Sequence, residues 1–152
     1  MERTNDTTYL ESYEAISGNG YELTLYRISR KCNANVPQAA DKGPMLFIHG
    51  LGSDSSTWMK KTDEESDTIG MKYALEGYDV WYGNMRGSGP SRTHKLDYYD
   101  ADGWLHRDGF FWEYDYNDLA EEDLPAMIKK VYEVSGHCKK VTVIGHSLGA
   151  TI

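Results

Sequence analysis

The sequence predicts an α/β fold in which helices flank a mostly parallel β-sheet. Three short apolar segments, at 44–48, 78–82 and 140–144, have the length and composition of buried strands. Segments with helical patterns precede the second and the third of them. Strands that alternate with helices are typical of a parallel sheet covered by helices. With 152 residues, 39% of them hydrophobic, the chain is long enough to bury a core, and we expect one domain over 1–152.

The N-terminal part predicts an antiparallel hairpin. Segments 9–16 and 21–29 are rich in Tyr, Leu, Ile and Thr with partial alternation, and a Ser-Gly-Asn-Gly turn at 17–20 separates them. Segment 31–43 is polar and contains Pro37, which indicates a surface connection. It leads into 44–48, the predicted buried central strand.

The remaining elements follow in alternation. A short helix is predicted over 67–76, ending at Gly77, before the second parallel strand at 78–82. Segment 83–116 is rich in Gly, Asp and aromatic residues without a clear period, which predicts a long excursion over the surface. Segment 117–135 has a helical pattern, and Pro125 either kinks this helix or marks its first turn. Gly136 ends it, and 140–144 is the third predicted buried strand.

Composition excludes several classes of protein. Sixteen Lys and Arg stand against twenty-four Asp and Glu, a net charge of −8 spread along the chain, so no nucleic-acid partner is expected. No apolar stretch approaches the roughly 18 residues that span a bilayer, and residues 1–8 lack the apolar core of an export signal. Cys32 and Cys138 have no metal-ligand spacing, and we expect ordinary packing roles for both.

The third strand runs directly into Gly145-His146-Ser147-Leu148-Gly149, a G-x-S-x-G pattern. In this context, an apolar strand before it and small residues opening a helix after it, the pattern indicates the nucleophile elbow of an α/β-hydrolase fold. The tight turn forces the serine into a strained backbone conformation, and the flanking glycines leave room for neighbouring backbone. Ser147 is therefore the predicted nucleophile of a serine hydrolase.

A serine nucleophile needs donors for the oxyanion that forms when it attacks a carbonyl. One donor is the backbone N–H of Leu148, directly after the serine. The second should come from the loop after the first central strand, where His49-Gly50-Leu51-Gly52 lies, and Leu51 is the candidate.

The general base and its acid are not identified in this chain. The elbow fold orders its triad as serine, acid and then histidine, so both partners are expected beyond Ile152. On this interpretation the chain is the N-terminal half of a domain, truncated after the elbow and without a cap, and its acidic residues are solvated surface. His49 and His146 flank the predicted oxyanion site and are expected to be structural or to line the pocket. The other histidines precede the serine; they are His94, His106 and His137.

Several blocks along the chain resemble the acid lipases, the group that includes gastric and lysosomal acid lipase. The blocks are GYELTLYRI at 20–28, HGL at 49–51 with 55–58, GYDVW at 77–81, NMRG at 84–87, SRTH at 91–94, Phe111-Trp112 and DLPA at 123–126. The resemblance implies hydrolysis of triacylglycerols or sterol esters, a lipid ester substrate, and a secreted or lysosomal location. It also implies that no metal or organic cofactor is needed. It departs from the family at Leu148, where Gln is usual, and at 97–109, which resembles an insertion.

Two features of the long excursion receive structural interpretations. Arg86 and segment 91–94 are expected to form salt bridges that hold the loop in place, because an always-charged guanidinium transfers no proton. The aromatic residues of the excursion could form a lipid-facing surface or belong to the core, and the core is favoured. They are Trp104, Phe110, Phe111, Trp112, Tyr114 and Tyr116.

Two alternatives to a lipid esterase remain open. The chain could be a non-catalytic fragment or partial product of such a lipase, and alone it would be inactive without a base. The elbow by itself would also permit another α/β-hydrolase activity, such as that of a thioesterase or carboxylesterase.

Overall fold

The computed structural model describes residues 8–30, 42–60, 67–106, 109–136 and 138–152. Its strands are β1 (Thr8–Ile16), β2 (Tyr21–Arg30), β3 (Gly43–Ile48), β4 (Tyr78–Gly83), β5 (Thr93–His94), β6 (Tyr98–Tyr99), β7 (Leu105–His106) and β8 (Thr142–Gly145). Its helices are α1 (Ser56–Met59), α2 (Ile69–Leu75), α3 (Tyr116–Asp118), α4 (Leu124–Ser135) and α5 (Leu148–Thr151), with a π-helical segment at Leu119–Asp123. These elements confirm the predicted alternation of strands and helices.

The central sheet has the order β1-β2-β4-β3-β8 in the described part of the chain. β3 is parallel to both β4 and β8, whereas β2 pairs antiparallel with β1 and β4. The predicted hairpin is present, and its turn is closed by the Ser17 N–H, which donates to the Tyr21 carbonyl at 3.0 Å. The sheet is therefore parallel in its centre, where the elbow strand pairs, and antiparallel on the hairpin side.

Helices cover both faces of the sheet because β3 is apolar at every position. Its alternating side chains point to opposite faces, and all six residues of the strand are buried. Leu46 and Ile48 belong to one cluster with Met127 and Val131 of α4. Met45 and Phe47 belong to the other, with Ala74 of α2.

The predicted long excursion after β4 is present, but part of it joins the sheet. β5 pairs with β2 through Tyr21 and His94, and β6 and β7 form a separate two-stranded hairpin. Ser91 anchors the loop, since its hydroxyl accepts from the Thr24 N–H at 2.9 Å and donates to the Asn84 carbonyl at 2.9 Å.

The helical region after the excursion begins earlier than predicted and changes type. Asp115 caps it by accepting from the Asn117 and Asp118 N–H groups. Pro125 lies in the first turn of α4, immediately after the π-helical segment, which agrees with the second of the two alternatives. The helical backbone is continuous through this point, since the Leu124 N–H donates to the Leu119 carbonyl, and the π-helical turn lies directly before the proline, which has no N–H to donate. Gly136, with φ 63°, ends the helix as predicted.

The third predicted strand is present as β8 but is not buried. Thr142 and Val143 are exposed, and Ile144 is half-buried. The reason is position: β8 lies at the edge of the described sheet, paired with β3 on one side. The apolar composition of the segment predicted a strand, but it did not predict which strands would pair with it in the sheet.

Two predictions about single side chains are wrong. Most aromatic residues of the excursion are exposed rather than core, with Trp104, Phe110, Trp112 and Tyr116 between 57% and 72% accessible, because the loop crosses the surface. Phe111 alone among the six is fully buried, while Tyr114 is half-buried. Cys138 is exposed in the connection before β8 rather than packed, and Cys32 lies outside the described residues.

Among the described residues, no helix combines the length and the apolar character that crossing a bilayer requires.

Candidate active site

The turn between β8 and α5 holds Ser147 in a strained conformation. Its φ of 53° and ψ of −119° make it the single non-glycine residue with positive φ in the described part of the chain. Both flanking glycines are required by close backbone approach. A Cβ on Gly145 would lie 2.0 Å from the Gly149 carbonyl oxygen, and a Cβ on Gly149 would lie 2.6 Å from those of Ile48 and His49. The geometry is that expected of a nucleophile elbow.

The parallel pairing of β3 and β8 brings the elbow against the loop that follows β3. Ile48 pairs with Gly145, and the His146 N–H donates to the Ile48 carbonyl at 3.0 Å. Parallel strands end at the same edge of a sheet, so the two loops meet there. Gly50 lies directly beside the serine, because a Cβ on Gly50 would stand 3.1 Å from the Ser147 Cβ.

A cavity of about 360 Å³ opens between these loops and the start of the excursion. Leu51 and Leu148, the two predicted oxyanion donors, both line it. The backbone N–H of each has no hydrogen-bond acceptor among the residues that the structure describes. Further lining residues are apolar (Met85, Tyr114 and Leu119) and polar (His49, Asp54, Arg86, Ser88 and Arg92).

His49 is a buried structural histidine in this cavity wall. The Met85 N–H donates to its Nε2 at 3.1 Å, and its Nδ1 lies 2.8 Å from the Gly50 carbonyl oxygen. Burial lowers the pKa of His49 below its usual range, partly offset by the hydrogen bond to Gly50 and by the charge of Asp54. The ring is therefore neutral under ordinary conditions and is fully occupied by backbone groups.

The other described histidines also make contacts away from the serine. His94 is buried, and its Nε2–H donates to the Asn19 carbonyl at 2.9 Å while its Nδ1 accepts from the Leu96 N–H. His106 pairs with Asp100 at 2.6 Å on the surface hairpin, and His146 is exposed and packs edge-on to Trp58. Within the described ranges none of these rings hydrogen-bonds to Ser147. His137 lies outside them.

The prediction that the acidic residues are solvated surface is wrong at two positions. Asp123 is fully buried, and its carboxylate accepts from the Arg86 N–H at 2.9 Å, from Nε at 2.8 Å and from Nη2 at 2.6 Å. Asp79 is 4% exposed and pairs with Arg27 at 2.7 Å. Carboxylates are buried where an arginine and backbone donors satisfy them.

The expected salt bridge at Arg86 is thus confirmed, and it ties the excursion to the π-helical segment. The guanidinium also lies over the Tyr21 ring, 4.0 Å from its centroid. The partner was missed because Asp123 lies 37 residues away in the chain, and one sequence contains no signal for so distant a pair. Arg92, in the second predicted segment, is exposed at the cavity rim.

The described residues offer no cluster of three or more His, Cys, Asp or Glu side chains that could hold a metal ion. Ser147 is exposed on the elbow and is not itself one of the residues that line the cavity, whereas Leu51 and Leu148 on either side of it are.

Comparisons with known proteins agree with this geometry. The α/β hydrolase fold family model matches residues 43–152. The chain is 37% identical over 145 residues to human lysosomal acid lipase/cholesteryl ester hydrolase, and 34% identical over 145 residues to mouse gastric triacylglycerol lipase. Each alignment covers 93% of this chain and 33% of the relative, so the chain spans about a third of their length.

Among solved structures, an esterase of Pyrococcus furiosus superposes with a TM-score of 0.58 over 98% of this chain and 46% of its own. The two sequences are 18% identical, and the likeness therefore concerns the fold.

Proposed function

Because this chain belongs to the α/β-hydrolase fold family and, within it, to the acid lipases, we propose that the complete protein hydrolyses lipid esters with Ser147 as nucleophile. The single observation that carries the proposal is the conformation of Ser147, strained at φ 53° between an apolar strand and a helix. Strain of this kind costs about 1–3 kcal/mol and persists where the surroundings over-determine it, most often at functional sites.

The proposed reaction begins with attack of the Ser147 hydroxyl on the ester carbonyl. The carbonyl oxygen gains negative charge and accepts from the Leu51 and Leu148 amides, both of which line the cavity. The tetrahedral species expels the alcohol and leaves an acyl-enzyme, which water hydrolyses to release the fatty acid. The proton of Ser147 requires a histidine base oriented by an acid, and the described residues bring neither to the serine. The proposal therefore requires a base and an acid from outside the described residues.

The substrate class rests on the relatives and on the cavity wall. The two mammalian relatives are named for cholesteryl esters and triacylglycerols. Leu51, Met85, Leu119 and Leu148 present apolar side chains in the cavity, which suits an acyl chain next to the reacting carbonyl. We therefore assign triacylglycerols or sterol esters as substrates.

The test uses the complete protein in three assays. A fluorophosphonate probe reports whether a serine is activated, and peptide mapping locates the label. Hydrolysis is then measured with emulsified triacylglycerol, with a cholesteryl ester and with a short water-soluble ester. Labelling at Ser147 and turnover of either lipid support the proposal. Labelling with turnover of the soluble ester alone would indicate a carboxylesterase, and absence of both would indicate a non-catalytic product.

A further inference from the structure

We propose that His49 is a positioning residue, which orients the Leu51 backbone N–H toward the carbonyl oxygen of the ester during catalysis. This proposal rests on the proposed function of Ser147. On this proposal the orientation of the Leu51 N–H, the second oxyanion donor, depends on hydrogen bonds between the loop after β3 and the start of the excursion.

The protonation of the His49 ring follows from its two partners. A backbone N–H can only donate, so the Met85 N–H at 3.1 Å requires an unprotonated Nε2. A carbonyl can only accept, so the Gly50 oxygen at 2.8 Å requires the proton on Nδ1. One neutral tautomer satisfies both contacts, and the His49 residue is only 3% exposed.

The Gly50 carbonyl connects the His49 ring to the orientation of the Leu51 N–H. Its oxygen accepts from His49 Nδ1–H and also from the Ser53 N–H at 3.3 Å, so two donors hold it on one side of the loop. The peptide unit that joins Gly50 to Leu51 is planar, and its C=O and N–H point in opposite directions. Holding the oxygen on one side therefore turns the Leu51 N–H to the other side, away from His49.

The cavity and the elbow lie where that N–H can serve. Gly50 is in near contact with Ser147, Leu51 lines the cavity, and the Leu51 N–H has no acceptor among the described residues. Leu51 itself is 83% exposed, so packing of its side chain does little to orient the loop. Hydrogen bonds to the Gly50 carbonyl are the constraint that remains.

The donor to His49 is in turn held rigidly. Met85 is 2% exposed and precedes Arg86, whose backbone N–H and guanidinium both bind the buried Asp123. On the other side, the Asn84 N–H donates to the Thr24 carbonyl at 3.2 Å. The excursion thus presents the Met85 N–H at a fixed place, and His49 links it to the oxyanion loop.

This arrangement predicts an effect on the chemical step rather than on binding. A donor that is oriented before the reaction stabilises the charge of the transition state without reorganisation. The ester in the ground state has little charge on its carbonyl oxygen, so loosening the donor should lower kcat and leave KM nearly unchanged.

The experiment compares three variants of the complete protein. His49→Phe keeps a ring and removes both hydrogen bonds. His49→Asn removes the acceptor for Met85 but places an amide N–H near the position of Nδ1, where it can still donate to the Gly50 carbonyl. His94→Phe is the matched control, because His94 is also buried and bonded to backbone, but on the Asn19 side of the fold. Rates are divided by the number of sites that a fluorophosphonate labels at completion.

We expect His49→Phe to lower kcat by about 10²-fold, the size of one lost oxyanion donor, with KM within a factor of two or so. His49→Asn should recover most of the rate, and His94→Phe should retain the wild-type kcat per active site. A wild-type kcat in His49→Phe, or an equal loss in His49→Asn, would overturn the assignment.

A measurement on the unmodified protein does not depend on turnover. Side-chain ¹⁵N NMR of the single tautomer should show His49 protonated at Nδ1, and a proton on Nε2 would contradict the proposal even if His49→Phe does not fold. Failure of the proposed function looks different: the wild-type protein would then neither label at Ser147 nor hydrolyse ester, whatever the state of His49.

Discussion

At the scale of single residues, backbone strain and close approach determine which side chains the elbow tolerates. Ser147 lies in the left-handed region that L-residues rarely adopt, and Gly145 and Gly149 lie where a Cβ would meet backbone oxygen within 2.6 Å. The backbone strain at this turn is thus the energetic cost of exposing the Ser147 hydroxyl. Replacing the serine separates the chemical role of the hydroxyl from the cost of the conformation.

We expect Ser147→Ala to abolish ester hydrolysis in the complete protein, by about 10⁶-fold in kcat, while stability changes little, since alanine suffers the same strain. Ser147→Gly should be equally inactive but more stable than Ser147→Ala by about 1 kcal/mol, because glycine adopts positive φ freely. Turnover and urea unfolding of both variants provide the comparison. Residual turnover in Ser147→Ala, or a glycine variant less stable than the alanine variant, would contradict the assignment.

His49 gives stability a pH dependence with a definite sign. Burial lowers its pKa in the folded state, whereas the unfolded chain has the usual value of about 6.5. The unfolded state therefore binds more protons in the interval below about 6.5, so the stabilisation from His49 is complete above that pH and is lost as pH falls toward the folded pKa. The hydrogen bond to the Gly50 carbonyl, and then the charge of Asp54, oppose this lowering of the pKa without removing it.

The measurement is urea unfolding of the complete wild-type protein and of His49→Asn at several pH values between about 8 and 5. The difference in free energy of unfolding between them should be largest at pH 8 and should shrink as the pH falls. A difference that stays constant across this range would show that His49 does not titrate as its burial requires.

At the scale of elements, the buried pair of Arg86 and Asp123 connects the excursion to the π-helical segment. The Arg86 Nη2 and Asp123 Oδ1 atoms are 2.6 Å apart, and both side chains are at most 1% exposed. Each charge therefore depends on the other as its partner in place of water. The π-helical segment places Leu119 and Asp123 on the buried side, and Leu119 reaches the cavity. Helical segments of this type are frequent at functional sites, where they redirect side chains.

Asp123→Asn should lower the free energy of unfolding by about 3–5 kcal/mol, because it leaves the Arg86 charge buried without its partner. Glu133→Gln is the matched control, since Glu133 pairs with Lys129 and Lys130 on the exposed side of α4. That variant should change stability by less than about 0.5 kcal/mol. Chemical denaturation measures both, and equal losses in the two variants would refute the distinction between buried and exposed pairs.

At the scale of the whole molecule, the described sheet ends at β8. β3 pairs with one side of this strand, and no described strand pairs with the other. An apolar edge with unpaired backbone groups is a template for association with another chain. Val143, 38% exposed on this edge strand, belongs to that surface.

Residues 1–152 expressed alone should therefore associate, and should be inert toward esters because none of the described histidines hydrogen-bonds to Ser147. Val143→Lys should reduce association, since a charge on an edge strand opposes edge-to-edge pairing. Light scattering after size-exclusion chromatography measures the mass, and a short chromogenic ester measures activity. A stable monomer, or ester turnover by 1–152, would count against the prediction, and turnover would mean that a histidine of this chain acts as base.

The sequence by itself determined the elements and the position of the candidate nucleophile. The apolar runs that became β3 and β4, the turn at 17–20, the end of α4 at Gly136 and the elbow at 145–149 are encoded by adjacent residues. Backbone preferences and hydrophobic periodicity act over a few residues, and so one sequence suffices to identify them. The resemblance to acid lipases rests on blocks of the same local kind.

Only the tertiary structure decided which elements lie side by side and which side chains are buried. β4 inserts between β2 and β3, β8 lies at an edge, and the aromatic residues of the excursion are mostly exposed. The pairs of His49 with Met85 and of Arg86 with Asp123 join residues 36 and 37 positions apart. Burial and pairing depend on how segments that are distant in the chain pack together, and a local sequence pattern carries no information about those contacts.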